Sequence, residues 1–268
     1  MTDWKHFNDR VEKLLRLNSP AVAVKMIAND EDAPAGYSDP PEPITMCQFV
    51  TNARVNGLKL LATPDNILCG IAQGMLGLDA MPNVAPRYAG GRVANEAFYN
   101  KILRDMPMVK KGVYRAVALT ALESVDFEPD LILFVTDPAR MTRLLHGVTY
   151  HNGERVRIGT AAEAGTCGEA MGACLATGKP AIGFPCYGTR LFGQVADNEL
   201  LFALPASYAD DFLDGLEKTH ARISPYPIKK FLTPPPYPRC NYMAKHLTAE
   251  DEAALREMKK QAGHEIEE

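Results

Sequence analysis

Apolar residues recur at helical spacing through Phe7, Val11, Leu14 and Leu15, which predicts a helix over Trp4 to Leu17 closed by Asn18-Ser19-Pro20. The run Ala21-Val22-Ala23-Val24-Lys25-Met26 reads as a buried strand. An acidic, proline-rich stretch from Asp30 to Pro43 reads as a loop leading into a helix from Met46 to about Asn56. Leu58 to Ala62 reads as a strand, and a short glycine-broken helix follows Cys69. Beyond a loop from Pro82 to Gly91, a helix is predicted over Arg92 to Asp105 and strands over Tyr114 to Leu122 and Leu131 to Val135. Thr136-Asp137-Pro138 is an N-cap signal for a helix reaching His146. A turn at Thr149 to Gly153, strands at Arg155 to Ile158 and Glu199 to Leu204, and a helix over Ser207 to Ala221 complete the first 222 residues.

Strands alternating with helices predict a layered α/β or α+β domain, a mixed sheet with helices, over residues 1–222. Residues 223–268 read as an extension: a stiff connector at Thr233 to Pro238, then a charged helix over Thr248 to Gly263. An internal match sharpens the picture. Cys69-Gly70-Ile71-Ala72-Gln73-Gly74 and Cys167-Gly168-Glu169-Ala170-Met171-Gly172 share the pattern Cys-Gly-x-Ala-x-Gly, and an Ala-Arg pair (Arg54, Arg140) precedes each. Two pseudo-symmetric halves over 20–110 and 115–222 would each deliver one cysteine at a helix start, Cys69 facing Cys167.

The 46% hydrophobic content fits a globular chain of 268 residues, and the formal net charge of -4 without a basic stripe argues against nucleic acid as a partner. No apolar stretch reaches membrane-spanning length, and the N-terminal run reads as an amphipathic helix, not a signal peptide. Six cysteines in such a chain favour thiols or metal ligands in a cytoplasmic protein over structural disulfides.

The chemistry concentrates between Gly165 and Arg190, which holds three of those cysteines among glycines and prolines. Cys167 falls at a predicted helix start, where the dipole and unpaired N–H groups favour a thiolate. Cys186 lies in the turn Pro185-Cys186-Tyr187-Gly188. Cys47, Cys69, Cys167 and Cys186 all stand at element ends, so four converging thiolates could hold zinc or an iron–sulfur cluster. Four small buried hydrophobes are the plain alternative. No Cys-x-x-Cys is present, which suits a cluster between halves better than a zinc ribbon. Cys174 reads as a buried core thiol and Cys240 as a packed or exposed one. Arg190 could clamp an anion near Cys186, Glu169 could carry a proton, and Arg54 and Arg140 could act or merely form salt bridges. His146 and His151 read as surface residues, and Tyr187 as a packed aromatic or a cover over a ligand.

Several of these segments resemble the family known as domain of unknown function 169, common in anaerobic bacteria and archaea. The residues carrying the resemblance are Cys47, Ala53-Arg54, the Cys69 segment with Leu76-Gly77-Leu78, and Gly165-x-Cys167. Pro185-Cys186-Tyr187-Gly188-Thr189-Arg190 and Asp197-Asn198-Glu199-Leu200 add to these, over roughly residues 10 to 220. The resemblance implies a shared fold and a shared cysteine site. The leading expectation is an iron–sulfur protein, a four-iron four-sulfur cluster on Cys47, Cys69, Cys167 and Cys186, with either a redox role as an oxidoreductase or the activation of a small anionic substrate beside Arg190. Cys167, Arg190 and Glu169 would be its catalytic residues, with a small anionic molecule or a redox partner and a homo-oligomeric state. The alternatives are a metal-free enzyme with Cys167 as nucleophile, or a cysteine-based ligand sensor.

Overall fold

The computed structural model describes residues 2–222 together with 249, 250, 253, 256 and 257. The chain divides into two compact units, Met1–Pro227 and Ile228–Glu268. Cys240, the connector at 233–238 and most of the helix expected over 248–263 lie outside the described residues.

The first unit is a mixed α/β structure. Its six strands are β1 (Val22–Ala28), β2 (Leu60–Ala62), β3 (Tyr114–Ala121), β4 (Leu131–Thr136), β5 (Ala181–Gly183) and β6 (Leu200–Pro205). They form one sheet in the order β2-β3-β1-β4-β6-β5, and every pairing of these strands is antiparallel. Both faces are covered, so the central strands are mostly apolar, with Lys25 the one charged residue in β1. Alternate residues choose the face. Val22, Val24, Leu131, Leu133 and Leu201 turn to the side of α2 (Met46–Asn56), α3 (Gly70–Met75), α4 (Ala85–Tyr88) and α5 (Glu96–Asp105). Ala23, Ile132, Phe134, Phe202 and Leu204 turn to α1 (Trp4–Leu15), α6 (Pro138–Thr149) and α9 (Ala209–Arg222).

The helix starts follow local chemistry. Thr45 and Gln48 close a capping box at α2. The Asp137 carboxylate accepts from the N–H groups of Ala139 and Arg140, with Pro138 at the first helical position of α6. Arg140 also donates to the carbonyls of Leu15 and Arg16, tying α6 to the end of α1. The strand expected over Arg155–Ile158 does not form. Residues 153–161 have no regular structure and only Val156 among them is half-buried.

The two halves of the sheet share one strand order. From the central β1–β4 pair outward, the first half runs β1, β3, β2 and the second β4, β6, β5. In each, the first strand in sequence is central, the second lies at the edge and the third sits between them. A helix precedes each edge strand and ends on a left-handed glycine, Gly57 (φ 66°, ψ 21°) before β2 and Gly178 (φ 63°, ψ 21°) before β5. A short helix follows each edge strand: α3 after β2, and α8 (Tyr187–Leu191) after β5. A 3-10 turn follows each third strand, entered from Ala121 (φ -58°, ψ 139°) and Pro205 (φ -59°, ψ 138°).

Candidate functional site: four thiols and two buried hydroxyls

All four cysteines of interest sit on the same side of the sheet. Cys47 is the second residue of α2, and Cys167 lies in the first turn of a π-helical stretch, Gly165–Gly172, that runs on into α7 (Ala173–Thr177). Cys69 is the N-cap of α3 and Cys186 the N-cap of α8. Topology therefore pairs Cys47 with Cys167, before the edge strands, and Cys69 with Cys186, after them. The sequence match of Cys69 with Cys167 does not survive as a structural equivalence: one caps a helix behind its edge strand, the other lies inside a helix ahead of it. The helical path from Cys167 to Gly178 is one residue longer than that from Cys47 to Gly57, and the π turn absorbs the extra residue.

Glycine makes the junction between these segments. A Cβ on Gly165 would collide with the Phe184 carbonyl oxygen and meet the Cys186 nitrogen at 2.9 Å. One on Gly183 would meet the Gly165 carbonyl oxygen at 2.5 Å. The start of the π stretch thus lies directly on the turn that carries Cys186. The chain enters that stretch through two alanines in the left-handed region, Ala162 (φ 54°) and Ala164 (φ 49°). Such a conformation costs an alanine on the order of 1–2 kcal/mol and persists only when its surroundings dictate it. Glu169 supplies that constraint. Its buried carboxylate accepts from the Thr160 hydroxyl (2.6 Å) and the Ala161 N–H (2.8 Å), and more distantly from the N–H groups of Glu163 and Phe184 (both 3.4 Å). Glu163, also buried, takes Arg92 and the Tyr99 hydroxyl. Glu169 is therefore a strap for the entry loop, with its oxygens occupied by these donors.

The thiols influence one another. Cys69, Cys47 and Cys186 all act on Cys167, and Cys186 and Cys69 act on Cys47. Burial foremost, then these neighbours, holds the Cys167 thiol well above the ordinary range. Burial, offset in part by the hydroxyl of Thr189, pushes the Cys47 thiol up to about 11. Cys174 stands apart, and burial alone pushes it up to about 12. None of the five described cysteines is in a disulfide.

Two threonines, Thr166 and Thr189, run through the middle of this group, and both are fully buried. Thr189 Oγ1 lies 3.3 Å from Cys186 Sγ, 3.6 Å from Cys47 Sγ and 2.9 Å from Thr166 Oγ1. The Cys47 thiol donates to Thr166 Oγ1 at 3.8 Å, and the Cys167 thiol points to the Ala164 carbonyl, also at 3.8 Å. Sequence reading missed both threonines. Their signal was present but faint: Thr166 adjoins Cys167, and Thr189 follows Cys186 by one helical turn.

This arrangement corrects the iron–sulfur expectation. Among the described residues, no group of three or more His, Cys, Asp or Glu side chains is disposed to hold a metal ion. The sulfurs of Cys47 and Cys186 contact threonine hydroxyls, and that of Cys167 a carbonyl, rather than a common centre. Cys47, Cys69, Cys167 and Cys186 are thus a set of neighbouring thiols that does not fit a four-iron cluster. Nor is Cys167 the thiolate expected from its helix position. It is the most buried of the four and holds its proton, because desolvation and three neighbouring sulfurs outweigh the dipole.

The remaining candidates lie elsewhere. Arg190, on α8, pairs with the fully exposed Asp197 at 2.8 Å. Arg54 is buried and donates to the Ser19 hydroxyl at 2.9 Å. His146 sits by Arg143 on α6, and burial, then that guanidinium, lowers its pKa. His151 pairs with Asp214 at 2.7 Å on the surface. Tyr187 is exposed beside Cys186. No helix among the described residues is long and apolar enough to cross a membrane.

Fold and site together define an α/β protein whose two similar sheet halves converge on a thiol group at one face. The chain belongs to the DUF169 family, described as uncharacterised ArCR, whose family model matches residues 10–215. It is 28% identical over 214 residues to an uncharacterized protein of Methanocaldococcus jannaschii, an alignment covering 78% of this chain and 91% of that one. No solved structure matches it.

Proposed function

We propose that the protein is a dithiol exchange protein in which Cys186 and Cys47 reduce a small disulfide. The observation that carries this reading is the shared Thr189 hydroxyl. Because both sulfurs contact one oxygen, they cannot be farther apart than those two contacts laid end to end. Cys186 is half-buried at the N-cap of α8, between the exposed Phe184 and Tyr187, whereas burial pushes the Cys47 thiol up to about 11, so that it keeps its proton. Those are the properties of an attacking thiol and a resolving thiol.

The Cys186 thiolate attacks one sulfur of the small disulfide, forming a mixed disulfide and releasing the first small thiolate. Cys47 then passes its proton to the released small thiolate and attacks Cys186 Sγ, forming the Cys47–Cys186 bond and releasing the second small thiolate, which takes up from solvent the proton that Cys186 had given to it. Two electrons pass from the protein thiols to the small disulfide, and two small thiols leave. Arg190, one turn beyond Cys186, favours a disulfide that carries carboxylates, consistent with a small anionic partner. A reactive dithiol of this kind belongs in a reducing compartment such as the cytoplasm, where disulfides are transient.

The test is stoichiometry. Pre-reduced protein, freed of reductant, should release two small thiols per chain from 3,3′-dithiodipropionate. Cys47→Ser should stop at one, as a mixed disulfide on Cys186, and Cys186→Ser should release none. Equal release from Cys186→Ser and wild type would remove this reading.

A further inference from the structure

We propose that Thr189 is a positioning residue that aims its hydroxyl proton at the Cys186 sulfur, with its orientation set by Thr166 and Cys47. The inference rests on the dithiol reading and names what singles out Cys186 within it.

The donors can be counted. A threonine hydroxyl has one proton and two acceptor sites. Cys47 donates its S–H to Thr166 Oγ1. The Thr166–Thr189 hydrogen bond, 2.9 Å long, admits either hydroxyl as donor, and Thr166 gives it once its own oxygen accepts from Cys47. Thr189 is left with one proton and two sulfurs in reach, Cys186 at 3.3 Å and Cys47 at 3.6 Å. Cys186 is the nearer, and Cys47, which already donates at the head of the chain, draws the Thr189 proton only when it loses its own. The order Cys47, Thr166, Thr189, Cys186 satisfies every group and ends with an O–H on the Cys186 sulfur. Both hydroxyls are fully buried, so water does not compete for these bonds.

The related half of the sheet supplies an internal control. Thr166 precedes Cys167, and the residue before Cys47 is Met46. Thr189 lies three residues after Cys186, and Ala72 lies three after Cys69. Cys69 thus occupies the same N-cap position as Cys186 with no hydroxyl at the matching place. Of the two half-exposed N-cap cysteines, only Cys186 has a threonine hydroxyl at that place.

The experiment measures alkylation by iodoacetamide at each cysteine, by quantitative peptide mapping of the full chain. Thr189→Val should slow Cys186 about tenfold, the order expected for losing one hydrogen bond to a charged group, and leave Cys69 within twofold. Thr189→Ser, which keeps the hydroxyl, should hold Cys186 within threefold of wild type. Buried Cys174 reports folding, since it becomes alkylated only if the core opens, and Thr189→Ala replaces the valine form if that form unfolds. An unchanged Cys186 rate in the folded valine or alanine form overturns the proposal, as does a serine form as slow as the valine one. If wild type reduces no disulfide yet Thr189→Val slows Cys186 selectively, the dithiol reading fails and the positioning role stands.

Discussion

The carbonyl oxygen of Gly165 lies 2.5 Å from where a Cβ on Gly183 would stand. That contact joins the π-helical stretch bearing Cys167 to the edge strand leading to Cys186. Gly183→Ala should cost about 1–3 kcal/mol, the usual range for overpacking a close-packed site, because the obstruction is backbone and cannot rotate away. Urea unfolding measures this. It should be accompanied by faster alkylation of Cys186, whose turn would be pushed off the π stretch. Wild-type stability in the alanine form would contradict the packing described.

Glu169 is expected to act through structure. An amide in its place offers one acceptor oxygen and turns an NH2 group toward N–H and O–H donors. Glu169→Gln should therefore destabilise by about 2 kcal/mol, the scale for leaving buried donors without their acceptor. Limited proteolysis should find new cleavage between residues 153 and 163, where the strap no longer holds the entry loop. A variant with native stability but no thiol reactivity would instead favour a chemical role.

Most elements of the two halves were legible in the sequence, and their order in the sheet was not. The apolar runs of β1 and β4 and the Asp137-Pro138 cap signal led to the right elements because each rests on local chemistry. Arg155-Val156-Arg157-Ile158 alternates like a strand yet forms no ladder, since pairing is a tertiary event that pattern alone does not secure. The π turn is silent in sequence, because Gly165-Thr166-Cys167-Gly168 reads as an ordinary helix start. The glycines around the cysteines looked like room for an inorganic group, but Gly165 and Gly183 are there to let backbone meet backbone. The threonines that organise the sulfurs lay hidden because buried threonines on their own carry no motif.

Stability should fall in mild alkali. Cys47 at about 11 and Cys174 at about 12 keep their protons in the folded state well above the ordinary thiol value near 8.5. Their contribution is full below the unfolded value and is lost as pH rises through the folded ones, because the unfolded chain releases protons the folded chain retains. Burial, the largest cause, raises Tyr37 and Tyr99 as well, and they add to the loss at higher pH. Urea midpoints should drop between about pH 8.5 and 10, a window where thiols dominate. Cys174→Ala should flatten part of that slope. An identical slope in the variant would contradict burial as the cause.

Arg190 should matter for ligand choice rather than folding. Its partner Asp197 is fully exposed, and ion pairs of that kind contribute little to stability. Arg190→Ala should leave the urea midpoint nearly unchanged and slow reaction with 3,3′-dithiodipropionate several-fold relative to the neutral bis(2-hydroxyethyl) disulfide. Lysine should recover only part of that preference, since it lacks the bidentate fork. Equal slowing with both disulfides would remove the anion role.

The most direct test of the central claim is to oxidise the reduced protein with a limiting small disulfide and map its peptides without reduction. The account predicts one intramolecular bond, Cys47–Cys186, with Cys167 and Cys174 recovered as thiols. A bond from Cys167 to Cys69 or Cys186, or no intramolecular disulfide at all, would contradict it.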